Sequence, residues 1–486
     1  MRRWGGFPAI LVIAGVMALA GAVAPAAPAV AAPHRLSAVP PSLVYGYGTN
    51  QFGELGNGIT TSAPSLSGTR ASGPPGTVSQ LAAGWHTSGA VMADGTVWTW
   101  GLNDGNRGLG YDSGGADVTT PRQVPGLSGI TQLALSDEPD NGYAVGPGGT
   151  VWAWGDNSEG QLGNGTTTPS ATPVLVPGLS GITQVAAGDQ YALARGSDGS
   201  VWAWGANGAG DLGTGSPANQ WVPQRLQDLS RITQVAAAGQ SSYAVRSDGT
   251  LFSWGSNGFG QLGNGTDGGF TPSPAPVPGL PGITQVATSG VSVLAIDNLA
   301  ERLWAWGHNS CGDLGDGTTK DRYSPELIGL TGVSQVMQGT EGALGVSSAA
   351  IRWDGRLWTW GCNGTGLLAT GTTADAAKPT LAANLTNVSQ FALGNDTAEY
   401  DFGYSLAVGT LAGTVPSLIG DTFAQAGAVL TAAGLGLGTV SYVADYTCAT
   451  IGLVRSQSPP AGTSVPAGSA VSVTIGKAPP PPSQCP

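Results

Sequence analysis

The chain has 486 residues and a formal net charge of −12, from 30 acidic residues against 18 Lys and Arg. An acidic surface repels phosphate backbones and anionic lipid headgroups, so we expect no nucleic-acid partner. The 80 glycines and 15 tryptophans predict many tight turns around a large apolar core.

Residues 1–31 have the pattern of a secretory signal peptide. Two arginines precede an apolar stretch from Ala9 to Ala24, and Ala29-Val30-Ala31 fits the small-x-small cleavage motif. We therefore expect a mature chain that starts near Ala32, with a linker over residues 32–43. The alternative is an uncleaved membrane anchor. After cleavage we expect no membrane association, because no other stretch is long and apolar enough to span a bilayer.

Residues 44–409 contain seven copies of one strand motif: a hydrophobic residue, an aromatic, a small residue, an aromatic and a glycine. The copies begin at Val44, Val97, Val151, Val201, Leu251, Leu303 and Leu357. A period near fifty built from short strands is typical of a β-propeller with one blade per repeat. The sequence thus predicts an all-β fold, a seven-bladed β-propeller of four-stranded antiparallel blades.

The aromatic strands also predict how the blades pack. Side chains alternate between the two faces of a strand, so the large rings share one face and the small residue lies on the other. We expect the rings to pack on the small-residue face of the next blade, and their indole N–H groups to bond loop carbonyls. The tryptophans given this structural role are Trp98, Trp100, Trp152, Trp154, Trp202, Trp204, Trp254, Trp304, Trp306, Trp358 and Trp360.

A glutamine recurs at one phase of every repeat. It follows Ser or Thr and precedes Leu, Val or Phe at Gln80, Gln132, Gln184, Gln234, Gln285, Gln335 and Gln390. This pattern favours a repeated hydrogen bond between neighbouring blades. A ring of glutamines that lines a central channel is the weaker interpretation.

The loop after the aromatic strand resembles the repeat of the regulator of chromosome condensation. The best copy runs from Trp154 to Gly165 and includes Gln161-Leu162-Gly163, and the resemblance covers roughly residues 44–409. It implies a seven-bladed propeller. The founding member exchanges nucleotide on a nuclear GTPase and binds chromatin. We rank that activity lowest here, because the signal peptide and the acidic charge both oppose it.

The C-terminal region changes composition and resembles a single PASTA domain over residues 410–477. We expect a helix from Asp421, its N-cap, to Ala433, with Gly434 as its stop, followed by strands at Gly438 to Ala444 and Val471 to Ile475. The resemblance implies an association with peptidoglycan. Residues 478–486 form a Pro-rich tail.

Four cysteines in an exported chain fit two disulfides. Cys311 and Cys362 lie in equivalent loops of adjacent repeats, whereas Cys448 and Cys485 lie in the C-terminal region. The pairing 311–362 with 448–485 is the most local of three connectivities, and four free thiols are the alternative in a reducing compartment.

The chain offers little catalytic chemistry. Its three histidines, His34, His86 and His308, form no convincing nucleophile set or metal pair, so we expect no catalytic residue, no metal and no cofactor. Two acidic groups could serve as glycosidase carboxylates or calcium ligands, although solvated loops are the commoner outcome. These groups are Asp313 with Asp316, and Asp137 with Glu138 and Asp140.

Binding is therefore the first functional hypothesis. Aromatics outside the repeated strand are the candidate anchors for a partner: Trp85, Tyr111, Trp221, Phe259, Phe270 and Tyr323. We predict a monomeric, non-enzymatic protein, secreted or associated with the cell wall, that binds an extracellular protein or glycan and reaches peptidoglycan through its C-terminal domain. The alternatives are an inhibitor of an extracellular enzyme such as a β-lactamase, and a polysaccharide hydrolase or lyase.

Overall fold

A computed structural model describes residues 43–103, 108–136, 141–339, 346–382, 385–394, 403–433, 435–466 and 469–480. The expected signal peptide, the acidic residues Asp137, Glu138 and Asp140, and Cys485 lie outside these ranges. Among the residues described, no helix combines the length and the apolar character that a membrane span requires.

Seven four-stranded antiparallel sheets form the blades of a propeller, which confirms the predicted fold. Six blades are built from consecutive strands. They are β3 (Val78–Ala83), β4 (Thr87–Met92), β5 (Val97–Gly101) and β6 (Val118–Gln123); β7 (Gln132–Leu135), β8 (Asn141–Val145), β9 (Val151–Gly155) and β10 (Ser170–Leu175); β11 (Ile182–Ala187), β12 (Tyr191–Gly196), β13 (Val201–Gly205) and β14 (Gln220–Arg225); β15 (Ile232–Ala238), β16 (Ser241–Arg246), β17 (Leu251–Ser256) and β18 (Phe270–Pro276); β19 (Ile283–Thr288), β20 (Ser292–Asp297), β21 (Leu303–Gly307) and β22 (Arg322–Ile328); β23 (Val333–Gln338), β24 (Ser347–Arg352), β25 (Leu357–Gly361) and β26 (Ala376–Leu381).

The seventh blade, which we call the seam blade, joins the two ends of the repeat region. Its strands β1 (Val44–Asn50), β2 (Thr61–Arg70), β27 (Leu385–Leu393) and β28 (Tyr404–Thr414) are arranged in the order β2-β1-β28-β27. The central pairing is antiparallel, with Tyr45 opposite Ala407. The ring is thus closed by hydrogen bonds between strands from opposite ends of the sequence.

The first strand of each blade lies innermost. Strands β3, β7, β11, β15, β19, β23 and β27 contact one another in turn around a complete ring, so they surround the central channel. The two ends of the channel differ in their turns. We call the end with short turns such as 197–200 the hairpin face, and the end with the longer loops such as 206–219 the loop face.

Five of the seven repeated glutamines bond to the next blade in the structure, as predicted. In four of them the side-chain Nε2 donates to a backbone carbonyl of the next blade and Oε1 accepts the N–H of the same residue, at 2.7–3.0 Å. The pairs are Gln80 with Leu133, Gln132 with Val185, Gln184 with Val235, and Gln234 with Val286. Gln285 accepts from the N–H of Val336. Because these side chains extend from the innermost strands, they also border the channel.

The closing tryptophans pack on the small-residue face of an adjacent blade, as expected, but this is the preceding blade and not the next one. The closing tryptophan of each pair is fully buried, and Trp204 lies among Tyr143, Val151 and Ala153 of the preceding blade. Each closing indole donates to a backbone carbonyl in the loop of the preceding blade, at 2.6–3.0 Å. The first tryptophan of a pair, such as Trp202, is only half-buried.

The C-terminal domain contains one helix and a small sheet, as expected. These are α1 (Phe423–Ala432), β29 (Gly436–Ala444), β30 (Val454–Ser458), β31 (Ser464–Pro466) and β32 (Ala470–Lys477), and the sheet has the order β29-β32-β30. The N-cap is Thr422 instead of Asp421, because its hydroxyl accepts from the N–H of Gln425 in a capping box. The expected stop, Gly434, lies outside the described residues.

The propeller and the C-terminal domain share a strand. The first part of β28 pairs with β1 and β27 in the seam blade, whereas Ala412, Gly413 and Thr414 pair with β31. The boundary that we expected at residue 409 therefore lies inside a continuous strand, and no linker separates the two sheets.

A disulfide joins Cys311 and Cys362, whose Cα atoms are 5.0 Å apart. It links the loops that follow β21 and β25 in adjacent blades, as the local pairing predicted. Cys448 is also disulfide-bonded, and its expected partner, Cys485, lies outside the described residues.

The glutamine bonds lead to a stability prediction. Gln234→Ala removes both partners of the Val286 backbone groups, so we expect a loss of about 2 kcal/mol in the free energy of unfolding. Urea unfolding measures the loss. The exposed Gln227→Ala is the matched control, and an equal effect of both substitutions would contradict a role for Gln234 in joining blades.

Candidate functional site

Six loops of the loop face, among the residues that the structure describes, are each organised by one asparagine. In the loop after β9, Asn157 Oδ1 accepts the N–H of Leu162 at 2.9 Å, and Nδ2 donates to the carbonyls of Thr166 and Thr168. The same bond to a leucine N–H is made by Asn50, Asn207, Asn257, Asn309 and Asn363. These bonds fix the loop backbone, so side chains of variable identity are presented on a rigid frame.

Outer-strand residues of the next blade lie against these loops. Trp221 in β14, Pro272 in β18 and Tyr323 in β22 occupy equivalent positions, and their carbonyls accept from the loop glycines of the preceding blade at 2.8–2.9 Å. The rings of Trp221 and Tyr323 contact Gly160 and Gly260 so closely that a Cβ on either glycine would clash. Both glycines also have positive φ.

Four of the predicted aromatic anchors are exposed on the loop face. Trp221, Phe259, Phe270 and Tyr323 retain 39% to 52% of their accessible surface. They belong to three consecutive blades, those of β11–β14, β15–β18 and β19–β22. We call these four side chains the loop-face arc.

The other two predicted anchors differ. Trp85 is half-buried in the turn between β3 and β4, where its ring lies 4.6 Å from that of His86. Tyr111 is buried, donates to the carbonyl of Thr99 at 2.9 Å, and lies beneath the guanidinium of Arg122. Tyr111 is therefore a core residue, and its side chain is closed to a partner.

Within the arc, Phe259 and Tyr323 adjoin polar groups. The Phe259 ring meets the His308 ring edge to face, with centroids 5.0 Å apart. A hydrogen bond to the Asp267 carboxylate raises the pKa of the Tyr323 hydroxyl. His308 Nδ1 lies 3.3 Å from Oδ2 of Asp313, whose pKa is raised by burial.

His308 is therefore mostly covered and paired with a buried carboxylate. His86 makes a similar contact, 3.4 Å from Glu54, which holds the same loop position as Asp313. Both histidines thus bind a buried acid beneath the loop face.

Of the two acidic groups that suggested hydrolysis, the one that the structure describes, Asp313 with Asp316, has structural partners. Asp316 accepts from Arg322 at 2.6 Å, while Asp313 faces His308. Asp313 also lies close to Cys311 and Cys362, but both sulfurs belong to the disulfide and cannot ligate a metal.

Two exposed aromatic sites were missed. Trp353 is 71% exposed on the hairpin face, beside a cavity of about 760 Å³. In the C-terminal domain, Tyr442 and Tyr446 are 61% and 69% exposed. A signal existed for Trp353, because it replaces the serine that precedes the Asp-Gly turn at Ser197 and Ser247.

A buried acid beneath the loop face gives a pH prediction. Asp211 occupies the position held by Gln161 and Gln261 in neighbouring repeats, and burial raises its pKa from 3.8 to about 7. The charged carboxylate therefore destabilises the folded state increasingly as pH rises from 3.8 to about 7. We expect Asp211→Asn to stabilise the protein by on the order of 3 kcal/mol at about pH 8.

The same substitution should have little effect near pH 3, where the carboxyl is mostly protonated in both states. Thermal unfolding across this range measures the difference, with the exposed Asp228→Asn as control. A gain that is equal at both pH values would contradict the assignment.

Comparison with known proteins agrees with this geometry. The RCC1-like domain family matches residues 43–398, and the PASTA domain family matches residues 413–477. The human E3 ubiquitin-protein ligase HERC2 is 39% identical over 160 residues, which cover 31% of this chain and 3% of HERC2. The ultraviolet-B receptor UVR8 of Arabidopsis thaliana is 30% identical over 165 residues, 34% of this chain and 37% of the receptor. The matched segments thus cover 3% of the length of HERC2 and 37% of the length of UVR8.

Solved structures show the same fold. Human WBSCR16 aligns with a TM-score of 0.65 at 24% identity, over 76% of this chain and 98% of its own. Prp20p of Saccharomyces cerevisiae aligns with a TM-score of 0.65 at 23% identity, over 77% and 92%. Since the family match covers well over half of the sequence, the chain belongs to the RCC1-like domain family and carries a PASTA domain at its C-terminal end.

Proposed function

We propose that this protein is an extracellular, non-enzymatic interaction protein. Its propeller binds a protein partner through the loop-face arc, and its PASTA domain associates with cell-wall peptidoglycan. The observation that carries the proposal is the arc itself: four large rings on three consecutive blades, each about half exposed and fixed on an ordered loop frame. The signal-like segment at residues 1–31 supports export.

The chemistry of the arc favours a protein as the propeller's partner. Aromatic side chains that are held rigid but left exposed are frequent hot spots of protein interfaces, because they bury much area for little lost entropy. The backbone carbonyls of Trp221 and Tyr323 are bonded to the preceding loops, so the rings are positioned before binding. Preorganisation of this kind lowers the entropic cost of association.

The PASTA domain offers a second surface. Tyr442 and Tyr446 are exposed near the end of β29, and β29 is an edge strand that pairs only with β32 among the described strands. Tyrosine presents an apolar ring and a hydroxyl donor together, which suits the sugar and peptide groups of peptidoglycan. We assign the wall contact to these two tyrosines.

The wall contact is tested by co-sedimentation of residues 32–486 with purified sacculi. We expect the chain to pellet, and the double variant Tyr442→Ala, Tyr446→Ala to bind about tenfold more weakly. Trp221→Ala in the propeller is the matched control and should pellet like the parent chain. Retention of the parent chain in the supernatant would refute the wall association, and unchanged pelleting of the double variant would refute its location.

The partner surface is tested by photo-crosslinking. A benzoylphenylalanine at Phe259 keeps an aromatic ring within the arc, and one at Leu175 places the same group at the opposite end of an outer strand, where the side chain is also exposed. In the secreted protein fraction of the source cells, we expect a discrete adduct from position 259 and none from 175. Trp221→Ala should reduce that adduct. Equal labelling from both positions would contradict binding through the arc.

A further inference from the structure

We infer that the hairpin-face mouth of the central channel binds a neutral saccharide. This site lies at the end of the ring opposite the loop-face arc, and it is independent of the protein partner and of the PASTA domain.

The mouth is a cavity of about 760 Å³, a volume within the range of small-ligand sites. Its wall includes the beginnings of four consecutive inner strands, β11, β15, β19 and β23. Each contributes the hydroxyl residue that precedes the repeated glutamine: Thr183, Thr233, Thr284 and Ser334. The hydroxyls therefore recur around the wall at the spacing of the blades.

These hydroxyls have their protons engaged. Each donates to a backbone carbonyl of the adjacent strand in its own blade, at 2.9–3.3 Å. A hydroxyl has one proton and two lone pairs, so its oxygen is left as an acceptor. The wall thus presents a row of acceptor oxygens to the cavity, of which that of Thr183 already accepts one bond from Arg195. Such a row matches a ligand rich in hydroxyl donors.

The charges around the mouth sum to about zero. Asp297 is paired with Arg302 at 2.7 Å and accepts from the indole of Trp304 at 3.0 Å. This leaves one cation, Arg195, and one anion, Glu301, among the lining residues. Arg195 donates to the carbonyl of Ile232 and to the Thr183 hydroxyl, which holds it in the wall. A strongly charged ligand would gain little here, whereas a neutral one avoids desolvating an unpaired charge.

Trp353 supplies the apolar contact at the rim. Its backbone N–H donates to the carbonyl of Gly332 at 3.2 Å, which fixes the turn, while its ring is 71% exposed. An exposed indole leaves much apolar surface in water. The C–H face of a pyranose ring can cover that surface while the hydroxyls of the sugar bond to the wall, which is the amphipathic match that a saccharide offers.

The test is calorimetric titration of residues 32–486 with three neutral tetrasaccharides: β-1,4-linked N-acetylglucosamine, β-1,4-linked glucose and α-1,4-linked glucose. We expect saturable binding of at least one. Trp353→Ala should weaken it by about tenfold or more, and Trp353→Phe should restore part of the loss. Phe423→Ala, at an exposed aromatic of α1 in the C-terminal domain, is the matched control and should leave the Kd unchanged.

Three results would overturn the inference. Failure of all three tetrasaccharides to bind the folded parent chain would exclude the ligand class. An unchanged Kd in Trp353→Ala would place the sugar elsewhere. Tighter binding of a sulfated tetrasaccharide than of its neutral counterpart would show that the site selects charge. The Trp353→Ala variant and the Tyr442→Ala, Tyr446→Ala variant are also compared for sedimentation with sacculi. Sedimentation that is lost only in the tyrosine variant separates binding of a free oligosaccharide at the mouth from binding of the intact wall.

Discussion

The antiparallel pairing of β1 with β28 is the constraint on which the rest of the structure depends. Every other blade is made from consecutive strands and could begin to form locally, but the ring closes only when residues near 45 meet residues near 407. Closure gives each aromatic strand a neighbouring blade to pack against and each inner strand two neighbours around the channel. A propeller without this pairing would expose two sheet edges, which invite association with other chains.

Within the closed ring, repetition and departure from repetition have different roles. Gln234, Asn257 and Trp306 make bonds that recur from blade to blade, and these bonds fix strands and loops. The side chains that we connect with binding are those that break the pattern. Phe259 stands where two other repeats have Glu159 and Ala209, and Trp353 stands where two other repeats have Ser197 and Ser247. We therefore assign binding to residues that differ between repeats, and structural roles to residues that recur in them.

The sequence predicted the fold well because each regular feature occurs seven times. Two kinds of hydrogen bond were predicted from the fixed position of a residue in every repeat. These are the bonds from the indole N–H groups to loop carbonyls and the bonds of the glutamines between blades. The exposure of the loop aromatics could not be predicted from the sequence, because an aromatic side chain in a loop can turn inward. Tyr111 does so and donates to the carbonyl of Thr99. Trp353 was overlooked because tryptophan was associated with the strand motif. The N-cap was displaced by one residue because Asp421 and Thr422 are both good capping residues, and only the geometry of Gln425 distinguishes them.

The shared strand β28 has a mechanical consequence. A pull on the C-terminal domain along this strand is transmitted directly into the seam blade, because the same backbone pairs with β31 at one end and with β1 and β27 along the rest. The load then acts parallel to the strands, so several backbone hydrogen bonds must break together before the ring opens. A domain attached through a flexible tether would instead extend its linker first. Here tension on the C-terminal domain would reach the ring without first extending a linker.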